Sequence, residues 1–184
     1  MPTEYKVLFV GSMGAGKTTA IAAISDAPPV STEAENTSRD EFDKATTTVA
    51  LDYGEVSLPG GDRLRLYGAP GQARFEFMWH ILVRGALGLV FLVDNSRPDP
   101  CGDLRDYLHA FRGSLGDTAA VVGIGRTESH PTPPLEDFYG VLAEQSLALP
   151  VFAVDVRERE DVLLLVDTLF HQIEAIDVDM EPAR

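Results

Sequence analysis

Short apolar runs alternate along this chain with stretches whose apolar residues recur every three or four positions. Tyr5–Val10, Leu87–Val93, Ala119–Ile124 and Val151–Val154 are nearly unbroken apolar runs. Such runs belong to strands covered on both faces, as in a parallel sheet. Between them, the spacing predicts helices over Lys17–Ser25, Asp103–Ser114 and Leu135–Ser146. A last helix carries Val162, Leu165, Val166, Leu169, Phe170 and Ile173 on one face. Val49–Leu58 and Arg63–Tyr67 flank Pro59-Gly60-Gly61-Asp62, two β-rich runs around a glycine-rich turn, which is a hairpin signature. Asp26–Thr46 is polar and rich in Pro, Ser and Thr. It reads as a long loop, a length that marks a connection as functional or mobile.

The order is strand, helix, hairpin and then strand–helix repeats. It predicts an α/β domain with a mostly parallel, doubly wound six-stranded sheet, one antiparallel edge strand, and helices on both faces. No internal repeat or linker interrupts residues 1–184, so they are expected to form a single domain.

The chemistry begins where the first strand ends. Gly11-Ser12-Met13-Gly14-Ala15-Gly16-Lys17-Thr18 matches G-x-x-x-x-G-K-S/T, with a strand before it and a helix after it. Glycines let the backbone curl so that successive N–H groups face phosphate oxygens, and the helix N-terminus adds partial positive charge. Gly11, Met13, Gly14, Ala15, Gly16, Lys17, Thr18 and Thr19 are therefore the expected nucleotide-binding residues. Lys17 would reach the β- and γ-phosphates, and the Thr18 hydroxyl would bind Mg²⁺. With this loop, the expected architecture becomes the three-layer sandwich of P-loop NTPases.

Arg65-Leu-Tyr-Gly68-Ala-Pro-Gly71-Gln72-Ala-Arg74-Phe75 follows the third strand, and Lys44-Ala-Thr-Thr-Thr48-Val-Ala-Leu-Asp52 precedes it. Together they resemble bacterial Ras-like small GTPases of the MglA type, and more closely those of the conservon type. The resemblance covers roughly residues 5 to 175. It implies that Gly71 meets the γ-phosphate, that Gln72 orients the attacking water as a catalytic residue beside Lys17, and that Thr48 joins Thr18 on Mg²⁺. Thr46 and Thr47 stay open as one-residue shifts. A roadblock/LC7-type regulator and a membrane-associated sensor system are the partners it implies.

The chain also departs from that pattern. Gly68 stands where most GTPases carry an aspartate that supports Mg²⁺, and Asp52 is the nearest carboxylate that could substitute. The guanine-reading N-K-x-D appears as Gly125-Arg126-Thr127-Glu128. Glu128 keeps the acid with one extra methylene, and Arg126 could lie along the base. The S-A-K element appears as Asp155-Val156-Arg157. For a cation acting on the phosphates in cis, Arg39 and Lys44 are the candidates.

Composition narrows the partners. The net charge of −14 argues against wrapping nucleic acid or lying on an anionic membrane. Cys101 is the single cysteine, so no intrachain disulfide can form, as suits a cytoplasmic protein. No signal peptide, membrane-length apolar run or lipidation cysteine is read. The four histidines are scattered without zinc spacing, and G-x-S-x-G is absent. Phe75, Phe77, Met78 and Trp79 form an apolar cluster that reads either as helix core or as a partner surface. The expected function is a Mg²⁺–GTP/GDP switch with slow hydrolysis. The alternatives are a non-hydrolysing GTPase-like scaffold and a small P-loop kinase.

Overall fold

The computed structural model describes residues 2–35, 48–116 and 118–180. Its sheet is ordered β2-β3-β4-β1-β5-β6-β7. The strands are β1 (Glu4–Val10), β2 (Val30–Glu35), β3 (Thr48–Ser57), β4 (Arg63–Gly68), β5 (Gly88–Asp94), β6 (Ala119–Gly125) and β7 (Val151–Val154). β4, β1, β5, β6 and β7 pair in parallel. β3 pairs antiparallel with both β4 and β2, so it alone runs against the rest.

The α/β architecture is the expected one, with a seventh strand added. β2 lies at the start of the stretch read as a loop, and it moves the reversed strand β3 in from the edge. Val30-Ser-Thr-Glu-Ala-Glu has too little apolar character to announce a strand, because an edge strand needs few buried side chains. The rest of that stretch, 36–47, lies outside the described residues, and with it fall Arg39, Lys44, Thr46 and Thr47.

The helices are α1 (Lys17–Ile24), α2 (Glu76–Leu82), α3 (Pro100–Ala110), α4 (Leu135–Glu144) and α5 (Arg159–Met180). α3 starts three residues before the expected position. Asp99 caps it by accepting from the Gly102 N–H at 2.8 Å, and Pro100 takes the first turn, where a missing N–H costs nothing. α1 and α5 cover one face of the sheet through Ile21, Ile24, Val162, Leu165 and Leu169. α2, α3 and α4 cover the other through Trp79, Leu104, Leu108, Phe138 and Val141. All seven residues of β5 are buried between these layers. The carboxyl ends of β1, β4, β5, β6 and β7 therefore share one rim, the place where open α/β sheets bind ligands.

Candidate functional site

Two adjoining cavities lie along that rim and share Gly14, Gly16 and Thr19. The first, of about 520 Å³, is lined by the glycine-rich loop, Asp52 and the segment 69–75. The second, of about 590 Å³, is lined by the same loop, Asp94 and the segments 125–129 and 153–157.

The glycine-rich loop joins β1 to α1. Gly16 caps α1 at φ 94°, a left-handed conformation, and a Cβ there would fall 2.6 Å from Val156 Cγ2. No side chain caps the helix, so its first N–H groups stay available to a ligand. The Lys17 ammonium donates to the carbonyls of Gly11 at 2.7 Å and Ser12 at 2.8 Å. Burial pushes its pKa down to about 8, against the opposing pull of the Asp52 charge. Ammonium has three protons, and two of them are engaged. A phosphate would meet the third and relieve the desolvation.

β3 and β4 place the next pair. Asp52 and Gly68 are direct cross-strand partners. The Asp52 carboxylate accepts from the Thr18 hydroxyl at 2.5 Å. A Cβ on Gly68 would lie 3.1 Å from Asp52 Cβ and 3.2 Å from its Oδ2. Lack of a side chain on β4 thus makes room for the carboxylate of β3. Among the described residues no group of three or more His, Cys, Asp or Glu could hold a metal ion. Two hard oxygen donors beside a phosphate cradle nonetheless fit Mg²⁺, which keeps waters and substrate phosphates as its other ligands. Thr48 opens β3, opposite Glu35. Its side chain lies outside the described part.

The segment after β4 rests on the glycine-rich loop. A Cβ on Gly71 would fall 2.5 Å from the Met13 nitrogen and 2.8 Å from the Gly11 carbonyl oxygen, so only glycine permits this approach. Gln72 turns its amide toward the Met13 sulfur at 3.8 Å. The Phe75 N–H donates to the Gln72 carbonyl at 2.9 Å. Trp79 reaches back from α2 to donate to the Pro70 carbonyl at 2.8 Å. Its ring stacks on Phe111 and meets Tyr107. Phe75 and Trp79 are buried, whereas Phe77 and Ile81 are 55% and 61% exposed. The apolar cluster read from the sequence therefore divides: Phe75 and Trp79 form a core clamp, while Phe77 is exposed together with Ile81, which that reading left out.

In the second cavity, Arg126 sits at φ 64° and donates to the Gly14 carbonyl at 3.3 Å and the Ser96 hydroxyl at 3.2 Å. It also pairs at 3.2 Å with Asp94, which is buried at the end of β5. Asn95 ties the loop from behind, donating to the carbonyls of His130 and Pro133. Glu128 lines the cavity beside Asp155 and Arg157. Hydrogen bonds from Arg157 hold the Asp155 carboxyl down at about 2. A side chain at Gly125 would find room, since its Cβ would lie 3.7 Å from the nearest atom, the Val93 carbonyl oxygen. Packing does not demand that glycine. Asp94 and Ser96 were not singled out from the sequence, although a carboxylate ending a buried strand at a ligand-binding rim was a signal for the first.

The geometry thus gathers Lys17, Thr18, Asp52, Gly71 and Gln72 around one cavity and Arg126 and Glu128 around its neighbour. The Ras-related protein Rab-3D of Homo sapiens is 22% identical to this chain over 187 residues, covering 97% of it and 78% of Rab-3D. The similarity is to Ras-like small GTPases. An uncharacterized protein of Methanocaldococcus jannaschii, MJ1339, is 31% identical over 94 residues. That match takes in 51% of this chain and 53% of the Methanocaldococcus protein. No protein-family model matches the chain. The Ras-like similarity supports a small-GTPase-like switch and accords with the α/β sandwich. Among the described residues, no helix is long and apolar enough to cross a membrane.

Proposed function

We propose that this Ras-like chain is a cytoplasmic nucleotide switch that binds Mg²⁺ with GTP or GDP and hydrolyses GTP slowly. The observation that carries the reading is the contact of Gly71 with the glycine-rich loop beside Lys17. It puts the Gly71 backbone and a buried ammonium on one cavity.

The residues divide the work by position. Lys17 and the N–H groups of residues 13–18 hold the phosphate tail. Thr18 and Thr48 would hold Mg²⁺, with Asp52 fixing Thr18 in place of the carboxylate that Gly68 lacks. When bound, that ion would neutralise charge on the β- and γ-phosphate oxygens. Gly71 would donate to the γ-phosphate, and Gln72, released from Met13, would orient the attacking water. Loss of the γ-phosphate removes the partner of Gly71 and frees the loop, which is the switch. Arg126, fastened to Gly14, would flank the base, and Glu128 would accept from guanine N–H groups. A protein regulator, roadblock/LC7-type by resemblance, would read the exposed Phe77 and Ile81 of α2.

A scaffold that binds nucleotide without hydrolysis is the second reading. It is favoured by the resting contact of Gln72 with Met13 and by the absent amide at Gly125. Single-turnover phosphate release from Mg²⁺–GTP separates the two. The switch reading expects slow, complete release that Gln72→Ala slows by about 10-fold or more. Binding of GTP with no release over a day overturns it in favour of the scaffold.

A further inference from the structure

Phosphoryl transfer to water needs positive charge on the phosphates, and the cavity on the Asp52 side supplies it from two side chains among the described residues, Lys17 and Arg74. Lys17 is committed to the floor of the cradle by its bonds to Gly11 and Ser12. Arg74 stands at the mouth. Its guanidinium carbon lies 4.8 Å from the centre of the Phe75 ring, and Phe75 is buried. No described carboxylate pairs with it, although the chain holds 29 acidic residues against 15 basic ones. Arg63, Arg65, Arg97, Arg105, Arg126 and Arg157 are in ion pairs, whereas Arg74, Arg84, Arg112 and Arg159 have no described ion-pair partner, and of these four only Arg74 lines this cavity. The start of the segment that carries Arg74 is held twice, by the Ala69 N–H on the Phe9 carbonyl and by the Trp79 indole on the Pro70 carbonyl. Arg74, with no ion-pair partner among the described residues and its guanidinium against a buried ring, thus lines the same cavity as Gln72, two residues before it.

Resting on the proposed function, we propose that Arg74 is the charge-stabilising catalytic residue of this site, supplied in cis, and that it donates to the terminal phosphate oxygens of a bound nucleoside triphosphate. In the step it serves, the water oxygen bonds to the terminal phosphorus as the bond from that phosphorus to the bridging oxygen breaks. The electron pair leaves with the nucleoside diphosphate, and the water proton passes to the released phosphate. Arg74 stays protonated throughout. Its planar fork matches two phosphate oxygens at once, which a lysine cannot do. The cation and the water-orienting amide lie on one short segment, so both reach the cavity from the same side as Gly71.

The test is capture of Mg²⁺–GDP–aluminium fluoride, a mimic of the transferring phosphoryl group, by the full chain with no partner protein. The wild type is expected to capture it unaided. Arg74→Ala is expected to weaken capture by about 100-fold or more and to slow single-turnover hydrolysis to match, while GDP affinity stays within about threefold. Arg74→Lys is expected to recover part of the loss, and Arg112→Ala, an exposed arginine remote from the cavity, none of the defect. Wild-type capture by Arg74→Ala overturns the inference. So does a wild type that binds GDP yet captures nothing without a partner. Failure of the wild type to bind GDP at all instead removes the nucleotide reading beneath it.

Discussion

Asp52 and Gly68 face each other across β3 and β4, and the space between them admits one carboxylate. The acid is on β3, and its bond to Thr18 fixes the hydroxyl at the mouth of the cradle. Partners that orient a metal ligand typically change metal affinity by about 10–100-fold when removed. Asp52→Ala is therefore expected to raise the Mg²⁺ concentration needed for half-maximal GTP binding by about 10-fold or more. Moving the acid back to β4, as Asp52→Ala with Gly68→Asp, is expected to recover most of that loss. Gly68→Asp alone would crowd two carboxylates together and weaken Mg²⁺ support. Fluorescent-nucleotide binding across a Mg²⁺ series checks all three. Unchanged Mg²⁺ dependence in Asp52→Ala would show that the carboxylate only packs.

The contrast between Gly68 and Gly125 was invisible in the sequence, where both appear as plain departures from a motif. Gly68 has a tight neighbour in Asp52, whereas Gly125 has room for a side chain. Lys17 and Thr18 stand out in the sequence because a short motif fixes their backbone as well as their chemistry, and Gly71 stands out through the resemblance. Asp94 and Ser96 were not, since their role on Arg126 depends on a strand end meeting a loop 30 residues away.

At the scale of elements, the segment from Pro70 to Phe75 is positioned by α2. The Trp79 indole donates to Pro70 and stacks on Phe111 of the loop after α3. Trp79→Phe keeps most of the ring packing and strands the Pro70 carbonyl. The expected loss is about 1–3 kcal/mol of stability, the usual range for an unmet buried hydrogen bond, read from urea unfolding. GDP affinity is expected to hold within about threefold, because α1 and not α2 carries the cradle. A stability change below the measurement error would mean the indole bond is dispensable. Periodicity was enough to place α1, α4, α5 and the buried strands within a few residues. It missed β2, whose sequence carries little apolar character, and the start of α3, where capping by Asp99 and Pro100 outweighs hydrophobic spacing.

Across the whole molecule, six strands run one way, and the carboxyl ends of five of them share the rim with the glycine-rich loop. That convergence places residues as far apart in sequence as Gly14 and Arg157 around adjoining cavities. The excess of acid would not oppose the proposed phosphate binding there. The cradle is made of backbone N–H groups and a buried ammonium, and long-range repulsion from exposed carboxylates is screened over about 8–10 Å at physiological salt. The account as a whole stands on that cradle and on the neighbouring cavity taking a guanine base. The most direct test is a titration of the purified chain with fluorescent GDP, GTP and ATP, repeated on Lys17→Ala. The account predicts saturable binding with guanine nucleotides at least about 10-fold tighter than ATP, and a loss of about 100-fold or more in Lys17→Ala. Equal binding by Lys17→Ala, or tighter binding of ATP than of GTP, would contradict it.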